Sequence, residues 1–339
     1  MARRAGKRPW AFEALEARVA MSHPGSTPLG HRAVAAERTH APVPVRVPSG
    51  FGAVGDSLTD EYRFYPPDRS RARNWVEIVA QTRKVDFGGF TTKSRGLPRD
   101  QGFANNWALQ NSTTTDVVLN QLPGLVAQVK AGKVGYASVN EGSNDFLYFL
   151  EATAVALPTA GIPANFAEQS QAVEATAQAN FDTTVTTLLA ASPNVKVVAA
   201  TVADLNQIPI ISQYLGIPLA QQAVAAVEAQ VQVYNAHIRQ VATTTPRVAL
   251  ADLAAVGASA AGQSSLPFGP TTLNLTTTGN DYHNFVLADQ LHPGTLAQGL
   301  IANVVINAAD SLGARIKPLS PAEIVQYARN LARHPGSTP

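Results

Sequence analysis

The chain of 339 residues is 45% hydrophobic and 15% charged, which is enough apolar material for one large core and too little charge for a disordered chain. It has no cysteine, which excludes disulfides, thiolate metal sites and cysteine nucleophiles. Eight of its 26 Lys and Arg residues lie in the first 50 positions, and the rest lacks the clustered basic and aromatic residues of a nucleic-acid-binding protein, so we expect no nucleic-acid partner.

The first 49 residues predict a basic, Pro-rich leader or arm ahead of the fold. Their Arg-rich start lacks the uninterrupted apolar stretch of a secretory signal, so we expect no Sec-type signal, and localisation stays open. Residues 12–22 resemble a short leader found on exported or surface proteins of one bacterial lineage; a short amphipathic helical turn is the alternative. The hexapeptide His23-Pro-Gly-Ser-Thr-Pro28 recurs at 334–339, and the chemistry of the sequence offers no reason for the repeat.

Short β-rich runs alternate with longer helical patterns after residue 50. The clearest predicted strands cover residues 52–56, 136–141, 195–202 and 247–253. Helices are predicted over 115–130 with an interruption near Pro123, along a buried stripe from Val173 to Leu188, over 219–243 and over 295–312. This alternation indicates a parallel sheet between two helical layers, a three-layer α/β/α sandwich. We expect it to span residues 50–315, followed by a C-terminal extension over 316–339.

The first candidate site residue is Ser57, in the segment Val54-Gly-Asp-Ser-Leu-Thr59 at the end of the first predicted strand. In a parallel sheet this end opens into the crevice where ligands bind. Gly55 permits a tight turn, and a helix beginning at Ser57 would offer free backbone N–H groups to a developing negative charge. Asp and Ser are also ordinary helix caps, so this segment alone does not establish a nucleophile.

A candidate base and acid lie in Ala288-Asp-Gln-Leu-His-Pro-Gly-Thr295, just before the last long helix. A nucleophilic serine needs a base, and the base needs an orienting acid. With three-residue spacing in a turn, Asp289 can hold one ring nitrogen of His292 while the other nitrogen faces Ser57. The alternative is an Asp-capped turn with an incidental histidine. His283, with an acid two residues before it, is a rival base, but it lacks the helix-start context.

The third segment is Val139-Asn-Glu-Gly-Ser-Asn-Asp-Phe146, at the end of the strand from Tyr136. A side-chain amide at a strand end can donate to an oxyanion, and Asn144 is placed to do so. Gly-x-Asn-Asp is also a common turn sequence, so this segment indicates a functional site only in combination with the other two segments.

In this order, at three strand ends, the segments resemble the SGNH/GDSL hydrolase family over about residues 50–312. The resemblance implies a flavodoxin-like sheet, a hydrolase domain over 50–315 and acyl-ester hydrolysis without a metal or organic cofactor. It implies that Ser57, Asp289 and His292 are catalytic. It also implies an oxyanion hole formed by the Ser57 backbone N–H, a glycine N–H and the Asn144 side chain.

The chain departs from the family pattern at the glycine. The matching stretch is Asn106-Trp-Ala-Leu-Gln-Asn-Ser-Thr-Thr114, where Asn111 takes the glycine's place. Asparagine keeps the backbone donor and tolerates a left-handed backbone better than other non-glycine residues. If the alignment slips by one position, Ser112 supplies the donor instead.

Structural roles are predicted for other polar residues near these segments. Asp56 is expected to brace the turn around Ser57, and Asp60 and Glu61 to favour the start of a following helix. His237 lies beside a buried helical stripe and is expected to be structural.

These features predict a serine carboxylic ester hydrolase that forms an acyl-enzyme on lipid or short- to medium-chain acyl esters. The apolar segments 146–166 and 208–219 follow strand ends and predict either a wall for an acyl chain or surface excursions packed on the sheet. The alternatives are a carbohydrate acetyl esterase and a non-catalytic surface or binding protein on the same fold. The longest apolar run, 146–162, contains Glu151 and Pro158 and is too short for a bilayer core of ~30 Å, so no membrane span is expected.

Overall fold

The computed structural model describes residues 50–67, 69–96, 100–258 and 263–334, without the side chains of residues 155–160. The predicted leader, the first hexapeptide copy and the second copy beyond His334 lie outside the described residues. Within the described ranges, no helix combines the length and the apolar composition that crossing a membrane requires.

The described strands are β1 (Phe51–Gly55), β2 (Phe90–Thr91), β3 (Gly102–Phe103), β4 (Tyr136–Asn140), β5 (Lys196–Ala200), β6 (Val248–Ala251), β7 (Ser265–Phe268), β8 (Thr271–Thr278) and β9 (Asn284–Val286). The longer helices are α1 (Trp75–Arg83), α2 (Leu122–Lys130), α3 (Ser143–Ala160), α4 (Phe166–Ala191), α5 (Pro218–Thr244), α6 (Leu253–Ala258), α7 (Thr295–Ser311) and α8 (Pro321–Arg333). Short helical segments are Tyr62–Phe64, Thr114–Asp116, the π-helical Val117–Gln121, Leu205–Gln207 and Pro209–Ser212.

The central sheet has the order β1-β4-β5-β6 with every pair parallel. An extended segment continues the sheet beyond β1, where the Ala53 N–H donates to the Asn105 carbonyl at 3.0 Å and the Trp107 N–H donates to the Ala53 carbonyl at 2.8 Å. The carboxyl ends of these strands, and the segment that follows Trp107, therefore meet at one edge of the sheet.

Helices cover both faces of this sheet because its strands are apolar on both sides. Along β5, Val197 and Ala199 belong to the core shared with α2 to α5, and Val198 and Ala200 to the core shared with α1 and α7. The α/β sandwich with a central parallel sheet is confirmed. All four predicted strands and the four predicted helices occur, with ends shifted by a few residues.

Two parts of the fold differ from the sequence prediction. No helix begins at Ser57: the chain makes one turn and runs on to the short segment Tyr62–Phe64. The small sheet β7-β8-β9 was not predicted, although Leu266, Phe268, Leu273 and Leu275 alternate with more exposed residues and are buried in the core. That alternation, interrupted by the turn at Gly269, is the pattern of a hairpin.

Helix α8 lies in the predicted extension after residue 315 and packs on the body of the fold. The Ile324 side chain is fully buried against Gly299 of α7, where an added Cβ would lie 2.4 Å from Ile324 Cγ2. The helix begins with a capping box in which Ser320 and Glu323 bond each other's backbone N–H groups.

Because Ile324 is buried, Ile324→Ala should lower the free energy of unfolding by about 3 kcal/mol through the cavity that it leaves. Urea unfolding followed by circular dichroism measures this. The exposed Gln326 of the same helix gives the control, and Gln326→Ala should change stability by less than about 0.5 kcal/mol. Equal stability of both variants would contradict the packing of α8 on the body.

Candidate active site

The turn after β1 presents Ser57 at the carboxyl edge of the sheet. Gly55 is required there because an added Cβ would lie 2.2 Å from the carbonyl oxygen of Asn140 on β4. Asp56 Oδ1 accepts a hydrogen bond of 2.9 Å from the Leu58 N–H, and the Asp56 carbonyl accepts one of 3.0 Å from the Asp60 N–H. As expected, Asp56 braces the turn. The Ser57 residue in this turn is 9% exposed.

Only a short 3-10 segment, Tyr62–Phe64, follows Asp60 and Glu61, and neither carboxylate caps its start. Asp60 Oδ2 instead accepts hydrogen bonds from the Tyr65 hydroxyl and, at 2.8 Å, from the Gln110 N–H. Glu61 Oε1 accepts a hydrogen bond of 2.8 Å from the Phe103 N–H. These buried carboxylates tie the segment after Ser57 to the loop beside β1.

The turn at residues 289–292 uses the two oxygens of Asp289 for different contacts. Oδ1 accepts hydrogen bonds from the backbone N–H groups of Leu291 at 3.1 Å and His292 at 2.9 Å. Oδ2 lies 2.7 Å from Nδ1 of the His292 ring. Gln290 between them has φ 62, and its carbonyl accepts a hydrogen bond of 3.1 Å from the Ile210 N–H. One oxygen thus shapes the turn and the other orients the imidazole.

The His292 ring joins the two predicted segments, since its Nε2 lies 2.7 Å from Ser57 Oγ. A carboxylate only accepts hydrogen bonds, so Nδ1 carries the proton toward Asp289 and Nε2 is free to accept the Ser57 hydroxyl proton. Residues 57, 289 and 292 therefore form one hydrogen-bonded chain in the order that a serine nucleophile requires.

Asn111 adopts the left-handed backbone that a glycine would normally supply, with φ 64. In the part of the chain that the structure describes, no group accepts a hydrogen bond from the backbone N–H of Asn111 or Ser57. The neighbouring Ser112 N–H donates to the Leu109 carbonyl at 3.3 Å, so it is the less available donor. Asn144 Nδ2 donates to the Ser112 carbonyl at 2.8 Å, which orients the amide and leaves its second N–H free.

Gln121 fixes the distance between β1 and the Asn111 loop. Its Oε1 accepts a hydrogen bond of 2.8 Å from the Gly55 N–H, and its Nε2 donates to the Gly55 carbonyl at 2.8 Å and to Ser112 Oγ at 3.0 Å. The sequence gives one indirect signal for it, the interruption before Pro123. That interruption is the π-helical turn Val117–Gln121, which turns Gln121 into the buried interior.

Tyr62 packs its ring edge-on against the His292 ring, with centroids 5.9 Å apart. The Tyr62 hydroxyl accepts a hydrogen bond of 2.8 Å from Gln298 Nε2, and Gln298 Oε1 accepts one of 3.0 Å from the Trp75 N–H. Nothing in the sequence pattern marks Tyr62, because its contacts come from α1 and α7, which are far away along the chain.

The pKa values of His292 and Asp289 both lie below their ordinary values. Burial lowers the pKa of His292 below 6.5, the Arg69 charge adds to this effect, and the hydrogen bond to Asp289 opposes it. Burial alone would raise the pKa of Asp289, but the hydrogen bonds and charge of His292 and the backbone N–H groups outweigh it and lower the pKa. Near neutral pH the site thus holds a neutral imidazole beside an ionised carboxylate.

Two other carboxyl groups near Ser57 behave in the opposite way. Burial raises the pKa of Asp56 to about 7 and that of Glu141 well above its usual value, and the nearby Asp145 adds to both shifts. Asp289 therefore differs from both in its lowered pKa, and it is the carboxyl group that contacts the His292 ring.

The two other histidines named from the sequence lie elsewhere. His283 hydrogen-bonds Asp281 at the surface, with Nδ1 2.6 Å from Oδ1, so the structure does not place this rival base at Ser57. His237 Nε2 lies 2.7 Å from Asp182 Oδ1 and connects α5 to α4.

An apolar cavity of about 100 Å³ opens at Ser57. Its polar border consists of Asp56, Ser57, Ser143, Asn144 and His292. The remaining wall is apolar and comes from the segments after β5 and β6 and from α7. Among the described residues, no group of three or more His, Asp or Glu side chains is arranged to hold a metal ion.

The family of this chain defines an ester-hydrolysing enzyme with a small-molecule substrate. The chain belongs to the GDSL-like lipase/acylhydrolase family, whose model matches residues 51–305. The resemblance drawn from the three sequence segments is thereby confirmed.

Several solved structures are similar to this chain. A lipase from a goat rumen metagenome is 15% identical over 76% of this chain and 96% of its own, with TM-score 0.46. An extracellular lipase from Streptomyces rimosus is 17% identical over 77% of this chain and 99% of its own, with TM-score 0.45. Phospholipase A1 from Streptomyces albidoflavus is 14% identical over 76% of this chain and 98% of its own, with TM-score 0.42. Among proteins with curated functions, none matched this sequence.

The His292 ring should titrate below pH 6.5, because burial and the Arg69 charge both disfavour its protonated form. NMR of the imidazole resonances during a pH titration measures this. Asp289→Asn removes the negative charge that opposes the shift and should lower the pKa further, whereas Arg69→Met should raise it. A wild-type pKa at or above 6.5 would contradict the buried geometry of the ring.

Proposed function

We propose that this chain hydrolyses carboxylic esters of lipid or short- to medium-chain acyl groups through an acyl-enzyme on Ser57. The observation that carries the proposal is the hydrogen-bonded chain from Ser57 Oγ through the His292 ring to Asp289, with both contacts at 2.7 Å. A serine hydroxyl is a weak nucleophile at neutral pH unless an adjacent base accepts its proton.

In the proposed reaction, His292 Nε2 takes the Ser57 proton as Oγ forms a bond to the ester carbonyl carbon. The carbonyl electrons move to oxygen, and their return breaks the bond to the alcohol oxygen, which leaves with the proton from His292. Water then attacks the acyl-enzyme by the same steps, and His292 returns the proton to Ser57. Asp289 stabilises the imidazolium that forms in each half of the cycle.

Three donors face the developing oxyanion in this proposal. They are the backbone N–H groups of Ser57 and Asn111 and the free side-chain N–H of Asn144. Because the turn at Ser57 is braced by Asp56, and the Asn111 loop by Gln121, the donors need no reorganisation during the reaction. A single donor of this kind contributes about 3 kcal/mol to transition-state stabilisation.

The cavity wall supports acyl chains over acetylated sugars as the natural substrates. An aliphatic chain would be buried against leucine, valine and isoleucine side chains at about 0.8 kcal/mol per methylene. The acetyl group of an acetylated sugar is too short to use this wall, and the hydroxyl groups of the sugar would lose hydrogen bonds to water beside apolar side chains.

Ser57→Ala should leave the fold intact and reduce hydrolysis of a short p-nitrophenyl ester by at least about a thousandfold, because it removes the hydroxyl that contacts His292 Nε2. Release of p-nitrophenol measures turnover, and circular dichroism checks the fold. Ser264→Ala, at an exposed serine far along the chain, is the matched control and should keep full activity. Unchanged turnover in Ser57→Ala would show that the assignment is wrong.

A further inference from the structure

A second apolar compartment lies beside the cavity at Ser57. This outer groove measures about 430 Å³, and its walls come from one side of α3, the segment Pro209–Ser212 and the first turns of α5. Glu151 is the charged side chain in its lining, and the other lining residues are apolar apart from the Tyr214 hydroxyl. The cavity at Ser57 is called the inner cavity below.

The two compartments meet at two leucines. Leu147 of α3 and Leu291 line both the inner cavity and the outer groove. Leu291 lies one position before His292, and its N–H donates to Asp289 Oδ1 at 3.1 Å. The hydrogen bond of 3.1 Å from the Ile210 N–H to the Gln290 carbonyl joins the groove wall to the same turn. The outer groove therefore begins next to the proposed base.

The outer end of the groove is apolar at the protein surface. Tyr214 lines the groove and is 44% exposed. Ile217 and Leu219 follow it along the chain, outside the lining, and are 52% and 43% exposed. Residues 205–227 contain no Asp, Glu, Lys, Arg or His. A soluble chain rarely keeps a grouped set of exposed apolar side chains without a ligand or partner for them.

We propose that the two compartments hold the two halves of one ester molecule, an inference that rests on the function proposed above. The acyl chain occupies the inner cavity, because Ser57 and Asn144, which must contact the carbonyl group, both border it. The alcohol chain occupies the outer groove, because the leaving oxygen must lie at His292 and Leu291 leads from there into the groove. The substrate class is thus esters with aliphatic chains on both sides of the carbonyl, such as fatty acyl esters of long-chain alcohols.

Two ester series at matched conditions test each half separately. One varies the acyl chain of p-nitrophenyl esters, and the other varies the alcohol chain of n-alkyl butyrates, followed by acid release at constant pH. In the wild type, kcat/KM should rise about fourfold per added methylene in both series until each compartment is full, since each buried methylene contributes a fixed free energy.

Filling the groove should affect the alcohol series alone. Ala154 is exposed on α3 and lines the groove, so Ala154→Trp should flatten the alcohol series and leave the acyl series unchanged. Ala152→Trp, on the same helix and outside the lining, is the matched control and should alter neither series. Tyr214→Asp, which places a charge in the groove at an exposed position, should reproduce the effect of Ala154→Trp without added bulk.

Filling the inner cavity should have the converse effect. Ala203 lines it and is half-buried, so Ala203→Phe should flatten the acyl series and leave the alcohol series rising. A wild-type alcohol series without slope, or equal effects of Ala154→Trp and Ala152→Trp, would overturn the two-compartment assignment while ester hydrolysis itself stands. Absence of turnover with every ester, including p-nitrophenyl acetate, would instead overturn the proposed function.

Discussion

The His292 ring must contact the Ser57 hydroxyl and the Asp289 carboxylate at the same time, although Ser57 lies 235 residues before His292 along the chain. A parallel sheet makes this meeting feasible, because the carboxyl ends of its strands lie along one edge. Ser57 follows β1 directly, Asn144 follows β4, and the turn with His292 leads into α7, which packs on the same sheet. The site is thus a property of the strand order rather than of any one segment.

Buried polar side chains hold these segments in register. Gln121 connects β1 to the Asn111 loop, Gln298 connects Tyr62 to α1, and Asp60 connects the Ser57 turn to Gln110. Removing one partner of such a contact leaves the other buried without a hydrogen bond, at a cost of about 1 to 3 kcal/mol. The pKa values of two carboxyl groups at the site differ for a related reason. Burial raises the pKa of Asp56, whereas the hydrogen bonds of Asp289 lower its pKa.

The long periodic elements were predictable from the sequence because their signal is local. The stripe of α5 and the β-rich run of β5 each carry their periodicity within one segment, and the three polar motifs follow strand ends directly. The helix predicted to begin at Ser57 does not form, because Asp60 and Glu61 bond to Gln110 and Phe103, which are distant along the chain. Gln121 and Tyr62 were missed for the same reason. Their partners are defined only once α1, α7 and the Asn111 loop have packed, and no local pattern records those contacts.

Asn111 stands where the family resemblance places a glycine, and it adopts a backbone conformation typical of glycine. Its φ of 64 is one that asparagine tolerates better than other non-glycine residues. The side chain adds bulk at the loop, while the Tyr148 hydroxyl donates to the Asn111 carbonyl at 3.0 Å and holds the loop against α3. Asn111 lines neither the inner cavity nor the outer groove, so its side chain leaves room for the proposed chains.

Covalent labelling with a fluorophosphonate, followed by mass spectrometry of the digested protein, identifies which serine is activated. We expect a single phosphonylated residue, Ser57, and at least about a thousandfold slower labelling in His292→Ala, because the proposed base is gone. Labelling at another serine, or equally fast labelling of Ser57 without His292, would contradict this expectation.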